Sequence, residues 1–485
     1  MGKNVIAQNP DGTIEWDDID TLVTAPGGGT GDMLSTNNLN DVANKQTSRH
    51  NLDVNPAKFP SYVTTAANIW DAMRCLYNRN PTTRRAMVAA LSKLVAGVSD
   101  FHMVAPGDST WIGYNGATYN LDDAVPRQVG KAVCKMLGIP NAFTGGIQQF
   151  VAAGSTAIQS NCSKTGSFVI ADNFVWTNAA AGTFTWVCLD AGTSVEFYAS
   201  NLSTNGFTYS IDGEAPVAVT TNGTSSFKTV TRTGLSNKRH TVVFTSAAGQ
   251  TVLLFGGRTW NPAIKQFHVH DIAIGGSHAN NSGVANGKNW SSTASSPAGL
   301  GLTGPGMVTA AGVTPNLVLP CIGNNDAAGS VAANTIVTGL GNIEAYWPTA
   351  AFFWTHPPKV SGTSDTIFDD LSGQFFSFSD TNSDMYFSWD EWVGRLTGYT
   401  ADGLAGADGI HPTQAHQWAL GRHIAEALVD IMSPGLSGNV YRLVESGGVY
   451  PPRPSEQLVP AGFAEYVGAD QPSDWLDGDT WDDLP

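Results

Sequence analysis

Phe101-His102-Met103-Val104-Ala105-Pro106-Gly107-Asp108-Ser109-Thr110 opens as a short apolar run and closes on a turn. The run at 101–105 reads as a buried strand, with punctuation from Pro106 and Gly107 at its end. In open α/β sheets, ligands gather at the carboxyl ends of strands. A Gly at this point lets the backbone bend sharply and presents the Ser109 hydroxyl to solvent. Taken alone, Gly-Asp-Ser is an ordinary turn triplet.

The flanks extend this reading. A helical stretch at 121–137 is stopped by Gly138 and Pro140. Upstream, 62–98 reads as two helices divided at Asn80-Pro81. Met87, Leu91, Leu94 and Val98 form one apolar stripe there, and Pro81 suits a first helical turn. From about 150 to 263 the pattern is β throughout. Runs at 167–171, 183–188, 195–199, 207–211, 217–221, 227–231, 241–245 and 251–255 are β-branched or aromatic. Turn pairs such as Asp212-Gly213 and Asn222-Gly223 separate them, as in a sandwich. After Trp260, strands are expected at 267–274, 316–322 and 350–354. A helix at 411–432 would bury Leu420, Ile424, Leu428 and Ile431. The expected organisation is an α/β domain over 100–149 and 264–432, with an inserted β-sandwich at 150–263. Residues 61–99 form a helical segment, and 1–60 and 433–485 form extended terminal segments. Without the insert, about 220 residues remain for the α/β part, an ordinary domain size.

Composition narrows the class. Of 485 residues only 14% are charged, while Gly alone numbers 53, which suits a loop-rich, β-rich chain. The net charge of -16 repels phosphate backbones, so nucleic acid is not an expected partner. Much of the acid lies near the ends: Asp11, Glu15, Asp17, Asp18 and Asp20, then Asp470, Asp474, Asp477, Asp479, Asp482 and Asp483. The five cysteines, Cys75, Cys134, Cys162, Cys188 and Cys321, form no CxxC pair. Buried free thiols are expected, with Cys162–Cys188 as the conceivable pair. Neither a secretory signal nor an 18-residue apolar span is present, so membrane insertion is not expected.

Four short blocks carry chemistry. The first is Gly107-Asp108-Ser109-Thr110. The second is Ile274-Gly275-Gly276-Ser277, whose backbone N–H is a candidate oxyanion donor, or a simple tight turn. The third is Gly323-Asn324-Asn325-Asp326, where the Asn325 amide is a second candidate, or part of a turn-rich loop. The fourth is Asp408-Gly409-Ile410-His411-Pro412. A serine hydroxyl needs a base, histidine serves near neutral pH, and a carboxylate fixes the imidazole tautomer. The plain alternative for this block is a helix cap by Asp408 or Thr413. His268, His270 and His278 make a weaker cluster with too few ligands in view for a metal. His356 reads as structural, and Trp354, Trp389, Trp392 and Trp418 divide between core packing and sugar stacking.

In this order, the four blocks resemble the GDSL/SGNH hydrolase family over about 100–149 and 264–432. The resemblance implies a three-layer αβα, flavodoxin-like fold with a parallel sheet of about five strands. It implies a serine esterase with Ser109 as nucleophile, His411 as general base and acid, and Asp408 orienting His411. The N–H groups of Ser109 and Gly276 and the side chain of Asn325 would form the oxyanion hole. No metal and no organic cofactor is implied. Thr110 stands where the family usually has Leu, and the second block lacks the Asn that often precedes its Gly. The inserted segment looks like β-sandwich modules that accompany some carbohydrate esterases.

The stretch from Ser35 to Leu52 begins Ser35-Thr36-Asn37-Asn38-Leu39-Asn40-Asp41 and ends Arg49-His50-Asn51-Leu52. It resembles a short element of bacteriophage tail fibres and tail spikes. Together the resemblances imply a tail-spike esterase that removes O-acetyl groups from host surface polysaccharide. Its location would be the phage tail, attached to other tail proteins through the N-terminal segment, and its expected state a homotrimer. The other reading is a non-catalytic structural or receptor-binding tail protein with an inactive hydrolase fold.

Overall fold

The computed structural model describes residues 76–77, 81–153, 157–171, 174–201, 206–224, 226–280, 289–291, 303–358, 365–389, 392, 403–406 and 408–432, with short strand segments at Val5–Gln8, Ile14–Asp17, Tyr441–Leu443, Leu458–Pro460, Glu465–Val467 and Thr480–Asp482. The fibre-like element at 35–52 and most of the acidic tail lie outside the described residues.

The chain begins its α/β part with β1 (Leu76–Tyr77), α1 (Pro81–Val95), β2 (Phe101–Ala105), α2 (Val125–Met136) and β3 (Gln148–Gln149). After the short hairpin Val151–Ala153 and Ala157–Ile158, eight strands follow: β4 (Cys162–Ala171), β5 (Phe174–Gly192), β6 (Ser194–Ser200), β7 (Phe207–Ile211), β8 (Val217–Val219), β9 (Phe227–Arg232), β10 (Lys238–Ser246) and β11 (Val252–Trp260). The α/β pattern then resumes with β12 (Phe267–Asp271), α3 (Thr303–Ala310), β13 (Leu317–Val318), α4 (Asn324–Ala328) and α5 (Ala333–Tyr346). It ends with β14 (Ala351–Thr355), α6 (Asp365–Asn382), β15 (Met385–Phe387) and α7 (Gln414–Met432).

Five strands run parallel in the order β12-β2-β13-β14-β15; the two-residue strands Phe143–Thr144 and β3 add parallel at the other edge of β12, and β1 adds antiparallel to β15. Counted along the chain, that order is second, first, third, fourth, fifth. It is the doubly wound arrangement, with its switch point between β2 and β13. Alternation sorts the strand residues between two cores. Phe101, Met103, Ala105, Phe267 and Val269 pack with Leu91 of α1, Val129 of α2 and Leu420 and Ile424 of α7. Val104, Ile272, Val318, Phe352 and Trp354 pack with Met307 of α3, Leu340 of α5 and Leu371 and Phe375 of α6. The sheet is thus covered on both faces, which makes three layers.

Three local expectations need correction. The first of the two helices expected over 62–98 does not reach its C-terminal part: Leu76 and Tyr77 are a buried strand paired to Phe387 and Tyr386. The edge of the sheet supplies hydrogen bonds that local propensity does not encode. In the second helix Met87, Leu91 and Leu94 are buried as expected, but Val98 is 63% exposed. α1 ends in a Schellman turn, with Gly97 N–H on Leu94 O and Val98 N–H on Lys93 O, so Val98 has left the stripe. The helix expected at 121–137 is two pieces. Asn120 caps a 3₁₀ turn at Leu121–Asp123, and α2 starts afresh at Val125 with Pro126 in its first turn.

Each expected strand of the 150–263 region overlaps an observed one, and Phe184, Trp186, Phe197, Phe244 and Leu254 share a third core. The region is not hung on the sheet by a tether. β11 pairs with β3 through Gly256↔Gln149 and Gly257↔Gln148, and β3 pairs with β12, so one sheet runs from the antiparallel strands into the parallel ones. A Cβ on Gly256 would lie 2.3 Å from the Gln148 carbonyl oxygen, so only glycine permits this approach. Cys134, Cys162, Cys188 and Cys321 are free thiols, and Cys75 lies outside the described residues.

Candidate active site

The site grows from the end of β2. Pro106 O accepts the Cys321 N–H, and Asp108 N–H donates to Cys321 O, so the turn after β2 is stitched to the segment after β13. A Cβ on Gly107 would meet Cys321 O and the Trp111 Cβ at 2.9 Å each, which reserves the position for glycine. Asp108 is 1% exposed. Its Oδ1 accepts the Thr110 N–H at 2.9 Å and the Thr110 hydroxyl at 2.6 Å, closing a tight loop over Ser109. Burial pushes the Asp108 carboxyl up from its ordinary value, against the pull of the Thr110 bonds.

The loop before α7 brings the fourth block to the same point. Asp408 Oδ1 accepts the N–H groups of Ile410 and His411 at 3.0 Å each, and Thr413 caps the helix by accepting the His416 N–H at 3.3 Å. The fold of this loop leaves Asp408 Oδ2 at 2.6 Å from His411 Nδ1, and His411 Nε2 at 2.7 Å from Ser109 Oγ. Both contacts are within hydrogen-bond range. Burial raises the Asp408 carboxyl, but the His411 N–H, the His411 ring and the Ile410 N–H outweigh it and hold it below its ordinary value. The Tyr114 ring meets the His411 ring edge-on, 4.5 Å between centroids.

The second and third blocks converge nearby. Gly107 O accepts both the Ile274 N–H at 2.9 Å and the Ser277 hydroxyl at 2.7 Å. Asn325 Nδ2 donates to Ser277 O at 3.0 Å. Asp326, fully buried, accepts the Ala279 and Asn280 N–H groups at 2.8 and 3.1 Å. Gly276 is exposed at the tip of this turn. Among the described residues, neither the Ser109 N–H nor the Gly276 N–H has an acceptor. One of the two Asn325 amide hydrogens is taken by Ser277, leaving the other.

Sequence reasoning missed the bracing residues Asp108, Ser277 and Asp326. Asp326, next to Asn325, was visible only as a loop former, because its value lies in the backbone amides that folding brings to it. His356 is buried with its Nε2 at 3.0 Å from the Ser372 hydroxyl and 2.9 Å from the Tyr386 hydroxyl. Of the four tryptophans, Trp354 and Trp389 are core, Trp392 packs on His416 and His423, and Trp418 is 36% exposed.

The histidines regroup. His102, not His278, joins His268 and His270, with ligand atoms within 4.8 Å of one another. Ile147 N–H donates to His270 Nδ1 at 3.1 Å, so a neutral ring carries its proton on Nε2 and donates it to His102 Nδ1 at 3.0 Å. A metal would need the Nε2 lone pair while Nδ1 acted as a donor, the reverse of this arrangement. The rings also stack, with centroids 4.6 Å apart for His102 and His268. Burial drives His102 down to about 3 and lowers His268 and His270, so the three rings pack as neutral groups.

No protein-family model matches the sequence, and no curated protein matches it. Solved structures do. A peptidoglycan O-acetylesterase structure superposes with TM-score 0.51 at 15% identity, covering 74% of this chain and 99% of its own. The chain shares the α/β fold of that enzyme. The doubly wound, three-layer architecture expected from the SGNH resemblance is therefore the one observed. A family two carbohydrate esterase from Cellvibrio japonicus covers 59% of this chain and 98% of its own, at 14% identity and TM-score 0.24. One from Clostridium thermocellum in complex with cellohexaose covers 56% and 98%, at 16% identity and TM-score 0.25. These two superpose too loosely to bear on this chain.

Proposed function

We propose that this protein is a serine esterase that removes O-acetyl groups from polysaccharide. The observation that carries the reading is the 2.7 Å contact between Ser109 Oγ and His411 Nε2, made across 302 positions of sequence. Chance packing of a partly exposed hydroxyl and imidazole would not also supply a carboxylate at 2.6 Å from the far ring nitrogen. The shared fold with a peptidoglycan O-acetylesterase supports an ester substrate on a glycan.

The chemistry follows from the donors and acceptors. Ser109 Oγ attacks the acetyl carbonyl carbon as its proton passes to His411 Nε2, and Asp408 stabilises the imidazolium. The carbonyl oxygen becomes an anion beside the open N–H groups of Ser109 and Gly276 and the remaining hydrogen of the Asn325 amide. The C–O bond to the sugar breaks, and the sugar oxygen leaves with the proton from His411. Water, deprotonated by His411, then attacks the acetyl-Ser109 ester, and acetate leaves as Ser109 recovers its proton. The residues need no metal or organic cofactor for these steps.

The fibre-like element at 35–52 supports a finer reading, in which the chain is a phage tail-spike protein. It would sit on the virion tail, attach through its N-terminal segment to other tail proteins, form a homotrimer and deacetylate host surface polysaccharide. Light scattering on the purified full chain tests the trimer; a monomeric mass would remove that part. For the esterase itself, p-nitrophenyl acetate is the assay. Ser109→Ala should abolish turnover with the far-UV spectrum unchanged; turnover that survives the change overturns the assignment.

A further inference from the structure

Among the four tryptophans that could have met a sugar, the structure leaves one, Trp418, on the surface. An exposed aromatic is unremarkable by itself. This one is held. Its Nε1–H donates to Asp123 Oδ1 at 3.0 Å. Asp123 Oδ2 in turn accepts from Asn120 Nδ2, and Asn120 Oδ1 caps the 3₁₀ turn by accepting the Asp122 N–H at 3.2 Å. The indole is therefore fixed in one orientation before anything binds, which reduces the ordering cost of a contact.

The same turn leads back to the triad. Asn120 follows Tyr119, and Tyr119 stacks on Tyr114 with ring centroids 4.2 Å apart. Tyr114 in turn abuts His411 edge-on. The hairpin that carries both tyrosines is rigid: Asn115 Oδ1 accepts the Ala117 and Thr118 N–H groups, and Tyr114 O accepts from Gln417 Nε2 at 3.1 Å. Trp418 lies one helical turn into α7, so about 6 Å of helix rise separates it from Gln414, just past the His411 loop. A polymer whose acetylated unit sits at Ser109 would reach Trp418 by running its neighbouring units along this path from Tyr114 and Tyr119 to Asp123.

We infer that Trp418, anchored by Asp123, forms a glycan subsite that stacks on a pyranose ring adjacent to the ring bearing the acetyl group. The inference rests on the esterase reading above. An aromatic face takes the C–H face of a pyranose, and the indole N–H already has its partner, so the contact needs no further polar group. A small ester or a single sugar at Ser109 does not extend to Trp418.

The test compares three esters: p-nitrophenyl acetate, glucose pentaacetate and acetylated cellotetraose. Trp418→Ala should lower kcat/KM on the tetraose about tenfold through KM, while the two small esters are unaffected. Trp418→Phe should recover most of the loss, because it keeps a ring to stack. Equal losses on all three esters, or no loss on the tetraose, overturn the subsite and leave the esterase reading standing. If the native protein hydrolyses none of them, the esterase reading fails. The subsite is then decided by saturation-transfer NMR of the tetraose on Ser109→Ala. Transfer abolished by adding Trp418→Ala supports it; no transfer, or transfer that persists, overturns it.

Discussion

At the scale of single residues, the groups proposed to react are distinct from the groups that hold them. Asp408 lies beyond the imidazole from Ser109, so in the proposed esterase its carboxylate would act through the tautomer of His411 and the charge that develops there. Asp408→Asn keeps the shape of the loop but places a donor or a weak acceptor against Nδ1. We expect kcat on p-nitrophenyl acetate to fall by about 10⁴-fold with little change in KM. A fall of less than tenfold would mean that Asp408 is only a loop former. Thr110 does a different task. Its hydroxyl is the second donor to the buried Asp108 Oδ1. Thr110→Val preserves volume but removes that donor, and should cost about 1–3 kcal/mol in urea unfolding; Thr110→Ser should restore most of it. The Ser109, His411 and Asp408 that meet here could be picked out in the sequence because their four blocks resemble those of a known family in residue type and order. Asp108, Ser277 and Asp326 were not legible as braces, since what they bind is backbone from segments far away in sequence.

At the scale of elements, period and punctuation found the strands that are long enough to show alternation. β2 and the strands of the 150–263 region were readable for that reason. Met385–Phe387 and Leu76–Tyr77 are too short to carry a period, so the far edge of the sheet stayed invisible. The join between the inserted strands and the parallel sheet was hidden as well, because it is made by two residues of β3. A second join reinforces it. Arg127 of α2 is 1% exposed and donates to both oxygens of Asp190 on β5, at 3.0 and 2.9 Å, and to Asp122 at 2.9 Å. Gly145 N–H also donates to Asp190. Two bonds in a fixed fork are specific for a carboxylate. Asp190→Ala leaves a buried guanidinium with only half of its charge partners, and should destabilise the protein by about 3–5 kcal/mol. Urea denaturation measures this; a change under 1 kcal/mol would show that the contact is dispensable.

At the scale of the whole molecule, the continuous sheet makes the strands of the 150–263 region and the α/β layers share hydrogen bonds, and the buried ionisable groups make their stability depend on pH. Asp271, at the end of β12 where β3 brings the two parts together, is the clearest case. It is 3% exposed, its Oδ1 accepts the Ala273 N–H, and its Oδ2 has no partner among the described residues. Burial raises its carboxyl to about 7, opposed by the Ala273 bond and the charge of Arg127. Between the ordinary carboxylate value and about 7, the folded protein keeps a proton that the unfolded chain has lost. Stability from this group is therefore complete below about 4, declines as pH rises, and levels off above about 7. Asp271→Asn keeps the acceptor for Ala273 and cannot ionise, so the variant should gain on the native protein across that window. The difference should approach roughly 4 kcal/mol at pH 8 and vanish near pH 4. Paired urea titrations at pH 4, 6 and 8 read it directly, since the buried histidines titrate alike in both proteins and cancel. A difference that stays constant with pH would mean that Asp271 is ionised in the folded state and that Arg127, on α2, neutralises it fully.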